Sequence, residues 1–263
     1  MSMLDRFRLD GQVAVVTGSG QGIGQGIAWA LADAGADIVI NARRLNDLKK
    51  TAAGIETRGQ RALIVPGDIR DLSESVAEQT IEQFNRLDIW VNNVGGSDEK
   101  NVHSLEDTSD ETFRGQLELN LTSAFQGCKA AAKRMLKGGV IINITSGAGT
   151  RGSPMTGPYA AAKAGLINLT QTLALELAER NIRVNAVSPG PVITEAFMEV
   201  LGVEDKLAEL RQTIPLGRTG TPDDIAAMVL LLCSPAGAWI TGEHHLIAGG
   251  RTQRSYQYKP KTG

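Results

Sequence analysis

Cysteine and histidine are scarce in this chain, with two and three among 263 residues. Cys128 and Cys233 stand far apart in Ala- or Leu-rich stretches of helical character. They read as small buried hydrophobes, not as a disulfide or part of a metal centre. His103 is remote from His244 and His245, and adjacent residues on a strand point to opposite faces, so no chelating set and no metal site is expected. An excess of one charge is also missing: 27 basic residues face 29 acidic ones, for a net charge of −2. Such a balance gives no field to draw the chain to nucleic acid or to an anionic membrane. No apolar run is long enough to cross a bilayer. The stretch Met1 to Asp10 has no apolar secretion core, so a reduced, cytoplasmic setting is expected. Gly-x-Ser-x-Gly does not occur, which argues against a serine hydrolase. The one glycine-rich stretch lacks the Gly-Lys-Ser/Thr ending of a nucleoside triphosphatase loop.

What is present is ordinary globular chemistry, 42% hydrophobic and 21% charged residues, in a length suited to one α/β domain over 1–263. Short apolar runs read as strands at Val13–Val16, Ile38–Ile40, Ala62–Val65, Ile89–Val91, Val140–Ile144, Val184–Val187 and His245–Ile247. Helical patterns fall between them, at about Gln25–Ala34, Leu45–Glu56, Leu72–Phe84, Thr112–Leu136, Ala160–Glu179 and Ile225–Leu232. This alternation predicts a doubly wound, Rossmann-type α/β fold, a parallel seven-stranded sheet with helices on both faces. Strands that are almost purely apolar suit a sheet covered on both sides. The segment 191–220 interrupts the alternation and reads as a cover over a site, with an amphipathic stretch at Val203–Arg211. The tail 251–263 is polar and basic, with Arg251, Arg254, Lys259 and Lys261.

Between the first strand and first helix lies Thr17-Gly18-Ser19-Gly20-Gln21-Gly22-Ile23-Gly24. Glycines there let backbone approach a pyrophosphate, and the helix N-terminus favours its negative charge. The spacing is Gly-x-x-x-Gly-x-Gly, and its position after a strand and before a helix makes dinucleotide binding the favoured reading. The second strand ends Asn41-Ala42-Arg43-Arg44. No acid stands between Asp37 and Asp47 to bond a ribose hydroxyl as an NAD site would require. Two arginines ahead of a helix start are placed against the macrodipole, a cost that an anion offsets. A 2′-phosphate is the obvious anion, so NADP is expected in preference to NAD.

Tyr159 and Lys163 stand four residues apart, on one face of a helix, and Ser146 lies thirteen residues before Tyr159 at the end of an apolar run. An ammonium beside a phenol favours the phenolate, and a phenol so tuned can exchange a proton near neutral pH. The bland reading of the pair is an exposed contact on a helix, worth about 0.2–0.5 kcal/mol. With a hydride carrier in the glycine turn, the three residues read as alcohol–carbonyl oxidoreductase chemistry.

The ordered set Thr17-Gly18-x-x-x-Gly22-Ile23-Gly24, Asp68-Ile69, Asn92-Asn93-Val94-Gly95, Asn120, Ser146, Tyr159-x-x-x-Lys163 and Pro189-Gly190 with Thr194 resembles the short-chain dehydrogenase/reductase family over about Leu9 to Gly250. Within it the chain is similar to 3-oxoacyl-carrier-protein reductases and hydroxysteroid dehydrogenases. Val94 departs from the family's usual alanine, and the tail beyond Gly250 is longer than usual. The resemblance implies roles residue by residue. Gly18, Gly22 and Gly24, with Gln21 and Ile23 in the same turn, would line the pyrophosphate. Ser19, Arg43 and Arg44 would meet the 2′-phosphate. Asp68 and Ile69 would flank the adenine, and Asn93 and Gly95 the ribose. Pro189, Gly190, Val192 and Thr194 would seat the carboxamide. Tyr159 would be the general acid or base, Ser146 would bond the substrate oxygen, Lys163 would lower the phenol's pKa and hold the ribose, and Asn120 would hold a water linking Lys163 to solvent. Taken alone, Asp68 also reads as a helix N-cap, Asn92 and Asn93 as turn residues, and Ser146 as a strand-end turn residue.

The resemblance also implies a homotetramer, or a homodimer, built on the Thr112–Leu136 and Tyr159–Glu179 helices. The substrate is expected to be a small-molecule alcohol or ketone: a 3-oxoacyl thioester or a similar apolar ketone, with a hydroxysteroid or sugar/polyol as alternative. Phe197, Met198 and Leu201 are candidates for an apolar wall. A cofactor sensor without catalysis is the reading from another class, and the presence of Ser146, Tyr159 and Lys163 together speaks against it.

Overall fold

The computed structural model describes residues 2–97, 102–195 and 204–251. Seven strands form one sheet: β1 (Val13–Thr17), β2 (Asp37–Ala42), β3 (Ala62–Pro66), β4 (Ile89–Asn92), β5 (Gly139–Ile144), β6 (Ile182–Pro189) and β7 (His244–Ile247). Their order is β3-β2-β1-β4-β5-β6-β7, and every neighbouring pair is parallel. The chain reverses its winding direction between β3 and β4, which opens a crevice at the carboxyl ends of β1 and β4.

All five residues of β1 are buried, and they divide between two cores by the period of two that a strand imposes. Ala14 and Val16 pack with Ile27 and Leu31 of α1 (Gly22–Asp33), Leu48 and Ile55 of α2 (Leu45–Glu56), and Val229 of α8 (Pro222–Cys233). Val13 and Val15 face the opposite layer: Val76 and Phe84 of α3 (Ile69–Phe84), Ala131 of α5 (Ser123–Arg134), and Leu177 of α6 (Gly157–Leu177). A buried aliphatic side chain contributes about 1.5–3 kcal/mol, so both faces of the sheet are anchored. Cys128 and Cys233 are free and buried, one in each core, and burial pushes both thiols up to about 12.

Several element boundaries differ from the sequence pattern, three of them for a plain local reason. Helix α1 begins at Gly22, inside the glycine turn. Glycine's poor helix propensity hides that start from a pattern reading. Helix α3 begins at Ile69 because the Asp68 carboxylate caps it, accepting from the Arg70 backbone N–H at 3.0 Å. The expected helix 112–136 is α4 (Asp110–Leu117), a single π-turn at Glu118–Thr122, and then α5. The π-turn carries Asn120, and such turns recur at functional sites.

The cover segment is pinned at both ends. Val192 bridges to Gly220, the Ile193 N–H donates to the Gly220 carbonyl at 3.0 Å, and the Gly220 N–H donates to the Pro191 carbonyl at 2.9 Å. It contains α7 (Glu204–Gln212), seated through buried Leu207. Phe197, Met198 and Leu201, and the tail residues Arg254, Lys259 and Lys261, lie outside the described residues. Among the described residues no helix is long and apolar enough to cross a membrane, and no group of His, Cys, Asp or Glu could hold a metal ion.

Candidate active site

A cleft of about 350 Å³ opens at the carboxyl ends of the strands. The glycine turn contributes Gly18, Gln21, Gly22, Ile23 and Gly24; the ends of β4 and β5 contribute Asn93, Gly95 and Ser146. Helix α6 contributes Tyr159 and Lys163, and the chain at and beyond the end of β6 contributes Pro189, Gly190, Val192 and Thr194. Ile144, Thr145 and Pro191 also line it. None of these three carried a sequence signal beyond standing next to a candidate residue.

The glycine turn has no room for side chains. A Cβ on Gly24 would lie 2.4 Å from the Gly18 carbonyl oxygen and 2.5 Å from Asn93 Nδ2. One on Gly22, whose φ is +57°, would meet Thr194 Cγ2 at 2.9 Å. Asn93 ties the ends of β4 and β1 together: its Nδ2 donates to the carbonyls of Thr17 at 3.0 Å and Gly18 at 3.2 Å. Its neighbour Asn92 is not a turn residue. It is buried, accepting from Trp90 Nε1 at 2.7 Å and donating to Asn143 Oδ1 at 2.8 Å.

The basic corner after β2 separates into unlike parts. Arg44 is held by Gln21 and by Asp47. Arg43 is exposed and makes no hydrogen bond or ion pair among the described residues, and its charge helps hold the Asp68 carboxyl below its ordinary range, after the larger effect of the Arg70 hydrogen bond. Ser19 differs from its expected place on a 2′-phosphate. It is fully buried, and its hydroxyl donates to the Asn41 carbonyl at 3.4 Å. Asp68 is the α3 cap and the partner of Arg70 at 2.7 Å, and Ile69 is buried in the core beside it. Ser19, Arg43, Arg44, Asp68, Ile69 and Asn120 all lie off the lining of the cleft.

Ser146, Tyr159 and Lys163 come together at the other end of the cleft. Ser146 lies two residues beyond β5 and caps the short turn that follows, accepting from the Ala148 N–H at 3.2 Å. Burial pushes the Tyr159 phenol above its ordinary pKa, and a hydrogen bond with Ser146 acts in the opposite direction. Lys163 is 3% exposed and donates to the Ile144 carbonyl at 2.9 Å. Burial lowers its pKa to about 8. The ammonium stands 5.8 Å from the centre of the Tyr159 ring. Burial is the largest influence on the phenol and acts against the drop expected from Lys163.

Asn120, expected beside a water that links Lys163 to solvent, has its side chain engaged with the loop after β4 and with Gln116. Its Oδ1 accepts from the Gly96 N–H at 2.8 Å, and its Nδ2 donates to the Gly96 carbonyl and to Gln116, each at 3.1 Å. The side chain thus clasps the loop after β4. Gly95, next to that clasp, lets the loop pass close to Lys163: a Cβ there would lie 2.7 Å from Asn120 Oδ1 and 2.8 Å from Lys163 Nζ.

With these parts in place, the chain can be set beside known proteins. Residues 18–252 match the family model described as enoyl-(acyl carrier protein) reductase. A 3-oxoacyl-[acyl-carrier-protein] reductase of Synechocystis is 39% identical over 92% of this chain and 97% of its own. The 7alpha-hydroxysteroid dehydrogenase of Escherichia coli is 37% identical over 95% of this chain and 97% of its own. A solved structure of a 7alpha-hydroxysteroid dehydrogenase complexed with NADH and 7-oxo glycochenodeoxycholic acid superposes with a TM-score of 0.89 at 34% identity, covering 97% of this chain and 99% of that one.

Proposed function

The chain belongs to the short-chain dehydrogenase/reductase family of oxidoreductases, and from that premise we propose that it reduces a ketone to a secondary alcohol with NADPH, the ketone being a 3-oxoacyl thioester or one of similar apolar character. The observation that carries this reading is the convergence of Ser146, Tyr159 and Lys163 on the cleft whose far end is the glycine turn. The residues fit a dinucleotide. The Gly18, Gly22 and Gly24 positions leave backbone bare where a Cβ would close the turn, and the α1 N-terminus supplies partial positive charge for a pyrophosphate. The bound nicotinamide would supply the hydride.

The protein's own part is positioning and proton handling. Ser146 would hold the carbonyl oxygen where negative charge develops. Tyr159, on the same cleft wall as Ser146, would deliver its phenolic proton to that oxygen, and in the reverse direction would take it back. Lys163, anchored on Ile144, would place a positive charge beneath the site and hold the ribose. Asn120 would keep the Gly95–Gly96 loop at the distance Lys163 needs.

Preference for NADP rests on Arg43, the exposed guanidinium after β2 with no ion-pair partner among the described residues, and on the lack of a carboxylate between Asp37 and Asp47. Arg43→Ala should bring the kcat/KM values for NADPH and NADH together, whereas an unchanged ratio would remove the assignment. A hydroxysteroid is the second reading of the substrate, favoured by the relative of that activity. We further propose self-association through α4, α5 and α6, whose outer faces expose Phe113, Phe125 and Leu175. Sedimentation at a monomer's mass would contradict it.

A further inference from the structure

Thr145 follows β5, Ser188 lies near the end of β6 and His244 opens β7. Their side chains form one hydrogen-bonded row. Thr145 Oγ1 and Ser188 Oγ are 2.6 Å apart, and Ser188 Oγ and His244 Nε2 are also 2.6 Å apart. Thr145 and Ser188 are buried, and Thr145 lines the cleft. His244 is only partly buried, on the last strand of the sheet. The row therefore runs from the wall of the cleft to the edge of the sheet.

Its far end settles which way the protons point. Thr145 Oγ1 donates to the Val187 carbonyl at 3.2 Å, and a carbonyl only accepts. Ser188 must then donate to Thr145, and His244 Nε2 must carry a proton and donate to Ser188. With Nε2 bare the row reverses, and the Val187 carbonyl loses its side-chain donor. Only the Nε2–H form makes every bond whose distance the structure gives. Burial, and after it the charge of His245, holds the imidazole below its ordinary pKa, which leaves Nδ1 unprotonated near neutral pH.

The row acts on the peptide unit that anchors Lys163. The Thr145 N–H donates to the Val187 carbonyl at 2.8 Å, and the Ile144 carbonyl of the same planar unit accepts from Lys163 at 2.9 Å. Ser146 is the next residue along, and Pro189 and Gly190 follow Ser188 on the facing wall of the cleft. A turn of the Thr145 side chain tilts that peptide and with it both Ser146 and the acceptor of Lys163. The geometry points to His244 as a positioning residue for the reaction: through Ser188 and Thr145 it fixes the peptide from which Lys163 is held and the spacing of the two cleft walls. The inference rests on the carbonyl-reductase reading above and adds a residue to it.

The test uses the full-length chain as wild type, His244→Leu, His244→Gln, Ser188→Ala and the His244→Leu/Ser188→Ala double variant. Imidazole nitrogen-15 spectra report the tautomer without substrate or cofactor. Steady-state kinetics with NADPH follow an acetoacetyl thioester and a 7-oxosteroid. His244 should be the Nε2–H tautomer in wild type and a mixture of tautomers in Ser188→Ala. Either single loss should lower kcat about tenfold, the scale of one hydrogen bond, with a smaller change in the KM for the ketone. His244→Gln, whose amide N–H can reach Ser188, should keep most of the kcat. The double variant should be no worse than either single one, because all three break the same row. Wild-type kcat in His244→Leu and Ser188→Ala, with only a lower melting temperature, would overturn the inference and leave the carbonyl chemistry standing. So would single losses that multiply in the double variant, or an Nδ1–H tautomer in wild type. A wild type that reduces no ketone would overturn the carbonyl reading, and the part given to His244 in it, whatever the tautomer.

Discussion

Lys163 and Tyr159 are one helical turn apart, yet the lysine's ammonium donates to the Ile144 carbonyl at 2.9 Å and stands 5.8 Å from the centre of the tyrosine ring. The pair shares a face of α6, as its spacing requires. The ammonium nevertheless has its own partner at the end of β5, while the phenol stands on the cleft wall with Ser146. The protein alone therefore holds Tyr159 in its protonated form.

That arrangement sets the pH dependence of the two directions. Tyr159 is raised above its ordinary value by burial, so phenolate is the scarce form at neutral pH. Alcohol oxidation, which needs the base, should climb steadily from about pH 7 to beyond about pH 9, approaching tenfold per unit, while ketone reduction needs no such deprotonation. Single-turnover rates in both directions check this. A plateau in oxidation already at neutral pH would mean a depressed pKa and contradict it.

Lys163 gives a stability signature with a definite sign. Its folded-state pKa lies near 8 against an ordinary 10.5. Between these values the unfolded chain keeps a proton that the folded chain has released, so this group makes stability rise with pH across that window. Below about 8 both states are protonated, and the buried charge is a constant cost. Lys163→Met removes the linkage. The stability of wild type relative to the variant, from urea unfolding, should increase between about pH 8 and pH 10; a difference that stays flat or falls would contradict the burial account.

Asn120→Ala should affect fold and function together. It leaves the Gly96 N–H and carbonyl and the Gln116 amide without the partners described above. One such buried loss costs about 1–3 kcal/mol. The freed loop should also carry Gly95 away from Lys163, lowering kcat more than it raises the KM for the ketone. Normal stability with reduced kcat would instead fit a side chain that serves only to hold a water.

The layered fold was legible because each strand is a short apolar run and each helix repeats with its own period; Ala14 and Val16 against Val13 and Val15 is that rule at work. The spacing of Tyr159, Lys163 and the glycines was equally plain. Other features left no trace of that kind. The partner of Lys163 is a backbone carbonyl, which any residue at position 144 would supply. The π-turn at Asn120 depends on side-chain bonds to Gly96 and Gln116, contacts that no local pattern announces. Ser19 was expected on a phosphate, but its hydroxyl donates to the Asn41 carbonyl, where β1 and β2 run side by side. Arg43 and Arg44 are adjacent and alike in sequence; only the position of Gln21 and Asp47 separates a committed arginine from one without a partner among the described residues.

The central claim is that Tyr159 donates the proton in an NADPH-dependent ketone reduction. Its most direct test is the rate of NADPH oxidation with medium-chain 3-oxoacyl thioesters, measured for wild type and Tyr159→Phe alongside the NADPH dissociation constant of each. We predict turnover by wild type, a loss of about 10²–10⁴-fold in kcat for the variant, and nearly unchanged NADPH binding. Equal turnover by Tyr159→Phe, or no turnover by wild type that binds NADPH, would contradict the account.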